Sequence, residues 1–293
     1  MSAKSIYRFA HEAMATTFEI IIAGETKEYS RQVSQAVFGE VDRLEGLLSR
    51  FIESSDVSGI NKLGYKEPVR VAVDTFECLQ IAKELHNETN GAFDVTIGQL
   101  ADHYKYHNNL SKDEMEKIRN SIGMENVELD NDNFTVKLKN NFVSIDLGGI
   151  GKGFALDKGA EILDDWSIES ALLHGGESSV LAIGSQPEED GWLVNIIEGM
   201  GEKGREVSLK NRSLSSSGTR VKGNHIINPK TGSKTEDVLR TWVSASSAAY
   251  SDALSTAFMI MTSRNIREFT VLRSNLWAIV LNGRDVSFYN KTA

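Results

Sequence analysis

A chain of 293 residues with 40% hydrophobic content is long enough to bury a substantial core in one or two domains. Its 41 acidic against 32 basic residues, a formal charge of -9, exclude the broad basic footprint that nucleic acid requires and leave a small ligand or a protein as partner. A single cysteine, Cys78, excludes an internal disulfide and a thiolate metal cluster, so any metal must sit on oxygen or histidine ligands.

The first twenty residues contain no apolar core of signal-peptide length and no cysteine to accept lipid. Nowhere does the chain approach the roughly 20 apolar residues that span a bilayer. The expectation is a soluble protein without a membrane span, cytoplasmic as written, or of the cell envelope if a signal has been removed.

Phe18, Ile20 and Ile22 fall in a run that suits an early strand. From Glu28 to Leu48 the apolar residues Val33, Val37, Val41, Leu44 and Leu48 recur at helical spacing. Val69, Val71 and Val73 alternate as a second strand, and Asp74 with Glu77 forms a capping-box pattern that opens a helix ending near Gly91. Val127, Leu129, Phe134, Val136, Leu138, Val143 and Ile145, broken by Asp130-Asn131-Asp132-Asn133, predict antiparallel strands around a turn. Beyond the glycine-rich stretch from Asp146 to Gly153 a short helix runs through Leu163, followed by strands that include Ala171 to Leu173, Trp192 to Ile197 and Trp242 to Ala245. The alternation of strand and helix predicts an α/β fold with a mixed (α+β) sheet. With three prolines, no linker and no repeat, residues 1–293 read as one unit, compact or bilobal.

Three segments carry chemistry. Asp146-Leu147-Gly148-Gly149-Ile150-Gly151-Lys152-Gly153 lies between a predicted strand and a predicted helix, where backbone N–H groups, the helix dipole and Lys152 favour phosphate. Its spacing fits neither the P-loop nor the dinucleotide fingerprint, and a plain tight turn is the alternative. In Ser251 to Thr256, Asp252 and Thr256 share a helix face four residues apart and offer the hard oxygens that magnesium prefers; solvent or capping contacts are the alternative. His225-Ile226-Ile227-Asn228-Pro229-Lys230-Thr231-Gly232 is a strand end running into a turn, and Ser215 to Arg220 before it reads as a polar loop.

In this order, the segments resemble the ApbE-like FAD:protein FMN transferase family. Met14-Ala15-Thr16 is similar to the family's opening Met-Gly-Thr, and Ser49 to Asn61 to its aromatic and Ser-x-x-x-Asn segment. Gly91 to Gly98 is similar to its GxFDPTxG box, Asp146 to Asp157 to DLGGIAKGYAVD, His225 to Gly232 to HIIDPRTG and Ser251 to Thr256 to ADALST. Ala15, Phe51, Val95, Thr219 and Asn228 depart from the family's usual residues.

The resemblance implies a flavin transferase fold with FAD, the substrate, in a cleft and Mg2+ at its diphosphate. The hydroxyl of a Thr or Ser in an acceptor flavoprotein would attack the FMN-side phosphorus and release AMP; some members hydrolyse FAD to FMN and AMP instead. It further implies that Met14, Phe51, Ala92, Phe93, Asp94, Asp146, Lys152 and Ile227 contact FAD, and that the Gly149 carbonyl, Asp252 and Thr256 hold the metal. Lys152 would neutralise charge, and His225 or Asp94 would take the acceptor's proton.

Overall fold

The computed structural model describes residues 5–107, 110–196, 205–219, 226–235, 238–283 and 285–290. Strands β1 (Ile6–Ala13) and β2 (Thr16–Ala23) form a hairpin whose two turn residues, Met14 and Ala15, both have positive φ of 50° and 56°. That twist-matched turn favours residues tolerant of the left-handed region, which makes Ala15 a strained occupant. Thr26 then caps α1 (Lys27–Leu48), whose Val33, Val37, Val41, Leu44 and Leu48 are buried on one face, as their spacing predicts.

The next segment corrects two expectations. After α2 (Asp56–Leu63), strand β3 is only Val69–Arg70, and Val73 is already helical and 59% exposed at the start of α3 (Val73–Glu88). No capping box forms there. The cap comes from α2, where one Asp56 oxygen accepts from the Ala72 N–H at 2.8 Å and the Thr75 hydroxyl at 2.7 Å. Asp74 and Glu77 turn outward instead to Arg43 and Lys158.

Helices α4 (Gly98–Tyr106) and α5 (Lys112–Asn120) lead to the hairpin β4 (Val127–Asp130) and β5 (Thr135–Leu138), which pairs with β3; Asp130 accepts from Asp132 and Asn133 in its turn. Val143 and Ile145, expected in a strand, form none. They are buried in a loop whose backbone is clamped by Asn61: its Nδ2 donates to Ile145 O at 2.9 Å and its Oδ1 accepts from Ile145 N at 2.7 Å. A side-chain amide thus satisfies both backbone groups that a neighbouring strand would have taken.

The chain continues through α6 (Gly151–Asp165), β6 (Ala171–Gly175), β7 (Ser179–Ile183), β8 (Trp192–Ile196), β9 (Arg205–Leu209), β10 (Arg212–Gly218), β11 (Arg240–Ala245), α7 (Ala248–Phe258), α8 (Ser263–Val271), β12 (Trp277–Asn282) and β13 (Asp285–Tyr289). Eight strands form one sheet in the order β1-β2-β6-β7-β10-β11-β12-β13. Helices and sheet combine as expected, yet every ladder between named strands is antiparallel, and the single parallel pairing among the described residues is the Ile97–Ser144 bridge. The reason is visible between β11 and β12. Two helices, α7 and α8, connect them, so the chain re-enters beside the end it left and Ser244 pairs with Trp277.

Both faces of this sheet are covered. Ala171, Leu173, Val243, Ala278 and Val280 join the cluster formed with α1, α3, α6 and α7, while Leu172, Trp242, Ile279 and Leu281 pack with Trp192, Ile196, Val207 and Leu209 of the β8–β9 hairpin. Double burial explains why these strands read as unbroken apolar runs.

Helices α6 and α7 approach closely at Gly153, where an added Cβ would lie 2.2 Å from Ala248 O and 2.8 Å from Ala249 Cα. Both are backbone atoms and cannot swing aside. Gly153→Ala should therefore destabilise the protein by about 1–3 kcal/mol even though alanine favours helices, and urea melts would read the loss.

Candidate active site

The site forms where the glycine-rich loop, the Gly91–Gly98 segment and α7 meet. The loop is laid beside the Gly91–Gly98 segment by two backbone bonds, Gly98 N to Ser144 O at 2.9 Å and Asp146 N to Val95 O at 2.7 Å. Asp146 is then fixed from both sides: Oδ1 accepts from Gly148 N at 2.9 Å, and Oδ2 accepts from Arg50 Nη1 at 3.0 Å. Arg50, with a side chain only 9% exposed, also donates to Gly98 O and to Asp102. This guanidinium joins three segments through its fork of donors, a role of which the Ser49 to Asn61 motif that contains it gave no sign.

The loop does not hold out the free amides that its glycines suggest. Its N–H groups at Ile150 and Gly151 donate to Leu147 O, Gly148 to Asp146, and Gly153 to Asp252 Oδ2 at 3.1 Å. Four amides are thus spent within the protein. The glycines instead let the loop pass close to its neighbours, and at Gly149 a Cβ would lie 3.3 Å from the Phe93 ring and 3.7 Å from Thr256 Oγ1.

Asp252 is 3% exposed on α7. Besides the Gly153 amide, its Oδ2 lies 3.3 Å from Lys152 Nζ, and its Oδ1 accepts from Ser179 Oγ at 3.1 Å. Thr256, one turn later, bonds Ser217 Oγ at 3.1 Å. One carboxylate, one hydroxyl, one ammonium and the backbone at Gly149 therefore converge. Among the described residues no three His, Cys, Asp or Glu side chains gather into a metal-binding group. The protein-side donors are hard oxygens, which fit Mg2+ in its habit of taking one or two carboxylates and completing its shell with water and substrate phosphate.

The remaining expected flavin contacts divide by exposure. Phe51 is 65% exposed and has the Lys105 ammonium 4.4 Å and the Arg50 guanidinium carbon 5.5 Å from its ring centroid. Met14 is half-buried in the β1–β2 turn. Ala92 and Phe93 are buried at 4% and 3%, Phe93 against Gly149, and Ile227, at 4%, packs with Leu100 and Ile118. His225 lies outside the described residues. Asn228, where the resembled motif has aspartate, accepts from Lys230 N at 3.0 Å through Oδ1, so the turn keeps the acceptor it needs.

Asp94 is 6% exposed and faces Thr96 and His86. Its Oδ1 accepts from Thr96 N at 2.7 Å and Thr96 Oγ1 at 2.6 Å, and Oδ2 lies 3.0 Å from His86 Nδ1, an ion-pair distance that falls short of hydrogen-bond geometry. The Asp94 carboxylate holds the His86 imidazolium above its ordinary pKa against the opposing effect of burial, with Glu125 at 3.7 Å from Nε2 adding on the same side. His86 escaped sequence reading because a lone histidine near a helix end gives no sign of the carboxylate eight residues on.

The ApbE family profile matches residues 14–280, nearly the whole chain. The chain belongs to the ApbE family. Relatives in that family include the FAD:protein FMN transferase of Buchnera aphidicola subsp. Schizaphis graminum, 26% identical over 277 residues that cover 85% of this chain and 78% of that protein. Another, the FAD:protein FMN transferase of Haemophilus influenzae, is 24% identical with 96% and 88% covered. Among solved structures, the ApbE protein of Thermotoga maritima matches with a TM-score of 0.85 at 26% identity over 97% of both chains. The flavin transferase ApbE from Vibrio cholerae, at 21% identity, shares the fold with a TM-score of 0.86 over 98% of this chain and 97% of that one. The ApbE fold expected from the motifs is the one observed.

His86 gives this ApbE chain a pH signature. With a folded pKa above the 6.5 of a free imidazole, the stability it contributes is complete below that value and lost as pH rises through the folded pKa. The melting temperature of the wild type should fall between about pH 6 and 8 more steeply than that of His86→Gln. Parallel curves would show that the contact with Asp94 carries no charge.

Proposed function

We propose that this chain is a Mg2+-dependent FAD:protein FMN transferase that links FMN through a phosphoester to a Thr or Ser of an acceptor flavoprotein. The names borne by its ApbE relatives support this reading. The observation that carries it is the convergence of Asp252, Lys152, Thr256 and the Gly149 backbone.

In the proposed reaction the acceptor hydroxyl oxygen bonds to the FMN-side phosphorus, the bond from that phosphorus to the bridging oxygen breaks, and AMP leaves with that oxygen. Asp252, Thr256 and the Gly149 carbonyl would hold Mg2+, which would supply charge neutralisation at the diphosphate. Lys152, already within 3.3 Å of Asp252, adds a second cation for the leaving phosphate oxygens. Asp146, held by Arg50, and the turn at Met14 border the flavin. Phe51 offers a flat face for a ring of FAD, in exchange for the Lys105 ammonium that now lies over it. The acceptor's proton is assigned to His225, because both oxygens of Asp94 are engaged with Thr96 and His86.

Asp252→Asn should lower FMN transfer by about 100-fold or more at limiting Mg2+, since an amide keeps the shape but not the charge. It should cost about 1 kcal/mol of stability through the Lys152 and Gly153 contacts. Thr256→Val should need more Mg2+ and keep partial activity. The assay combines FAD, Mg2+ and an acceptor peptide, with covalent flavin and free FMN measured separately; free FMN alone would identify a hydrolase. Phe51→Ala should weaken FAD binding by about 1–3 kcal/mol with an unchanged melting curve, and calorimetry decides it.

A further inference from the structure

The serine-rich stretch that reads as a polar loop is strand β10, and its alternate side chains face α7. Ser213 Oγ lies 2.9 Å from the Ala245 carbonyl and 2.8 Å from the Ser247 carbonyl, Ser215 bonds Ser251 at 2.8 Å, and Ser217 bonds Ser255 at 2.8 Å and Thr256 at 3.1 Å. The rungs stay in step because two strand residues advance about 6.8 Å and four helical residues about 6 Å.

Counting protons along the last rung gives each bond a direction. Ser255 Oγ lies 2.8 Å from the Asp252 carbonyl, which has no hydrogen, so the one hydroxyl proton of Ser255 goes there. Ser255 must then accept from Ser217. With its own proton spent, Ser217 accepts from Thr256, and the Thr256 oxygen is left with lone pairs alone to direct at the space beside Gly149. The rung above has the same polarity, since Ser251 donates to Ala248 O at 3.1 Å and so accepts from Ser215.

We infer that Ser217 is a positioning residue for cation binding: it takes the Thr256 proton and so presents Thr256 as an electron-pair donor. This rests on the Asp252 and Thr256 metal site proposed above. A hydroxyl whose proton points at the ion would repel it, so the ladder removes the wrong rotamer before the ion arrives. Ser179, donating to Asp252 Oδ1, steadies the other ligand in the same way.

The test is Mn2+ titrated into the full-length protein, read by the EPR signal of the free ion, beside the Mg2+ concentration for half-maximal FMN transfer and a melting curve. Ser217→Ala should weaken Mn2+ binding about tenfold and raise the Mg2+ requirement while turnover at saturating Mg2+ is largely kept. Ser217→Thr, which retains the hydroxyl, should restore both. If Ser217→Ala does not fold, Ser217→Cys keeps the shape with a poor acceptor and should show the same weakening. Wild-type Mn2+ affinity in the alanine or cysteine variant, with binding lost in Asp252→Asn, overturns the role of Ser217 and leaves the metal site standing. Wild-type affinity in Asp252→Asn, or no binding by the wild type, overturns the metal site itself.

Discussion

The first turn of α7 is held by a carboxylate of α6, and the first turn of α6 is held by a carboxylate of α7. Asp157 accepts from Ala248 N at 2.7 Å, Ala249 N at 2.9 Å and the Ser247 hydroxyl at 2.7 Å, and Asp252 accepts from Gly153 N. Helix α6 depends on this bond because it follows Ile150, which has no capping side chain, whereas α7 also has Ser247, whose Oγ accepts from Tyr250 N at 3.3 Å. The exchange fixes the two helices in rotation and register at once. Everything described at the site depends on that: the glycine-rich loop enters α6, and Asp252 and Thr256 leave α7, so a slip of one turn would separate Gly149 from Thr256.

This arrangement is costly in charge. Burial pushes the Asp157 carboxyl above its usual range although three donors pull the other way, so its ionisation at neutral pH costs folding free energy relative to the unfolded chain. Its contribution is register, the best-attested use of a buried charge. Asp252 differs in having Lys152 beside it. In the proposed reaction that same ammonium faces phosphate, so the pair that steadies the folded protein also supplies the charges of the reaction. The contact of 3.3 Å is longer than a strong ion pair.

The antiparallel sheet contributes rigidity behind the site rather than chemistry. Covered on both faces, its central strands β7 and β10 present Ser179, Ser215 and Ser217 to α7 as a polar seam within an otherwise apolar interface. Hydroxyls are small enough to let strand and helix pack closely, and each has a partner, Ser215 and Ser217 in the hydroxyls of α7 and Ser179 in the Asp252 carboxylate.

The sequence by itself determined the elements whose pattern is local. The α1 stripe, the Asp130 turn, the glycine-rich loop before α6 and the Asp252–Thr256 spacing follow from periodicity and side-chain chemistry within a few residues, and the ordered motifs were enough to reveal the family. What only the tertiary structure decided are contacts between distant segments. Asp56 displaced the expected capping box, Asn61 turned an expected strand at Val143 and Ile145 into a clamped loop, and Arg50 joined Asp102 to Asp146. The polarity of the Ser217 hydroxyl depends on a carbonyl in another element. The contacts of Asp56, Asn61 and Arg50 are hydrogen bonds between groups 16 to 96 residues apart, made by side chains that local pattern does not assign. Periodicity records which face of an element is buried, but not which polar group arrives there to satisfy it.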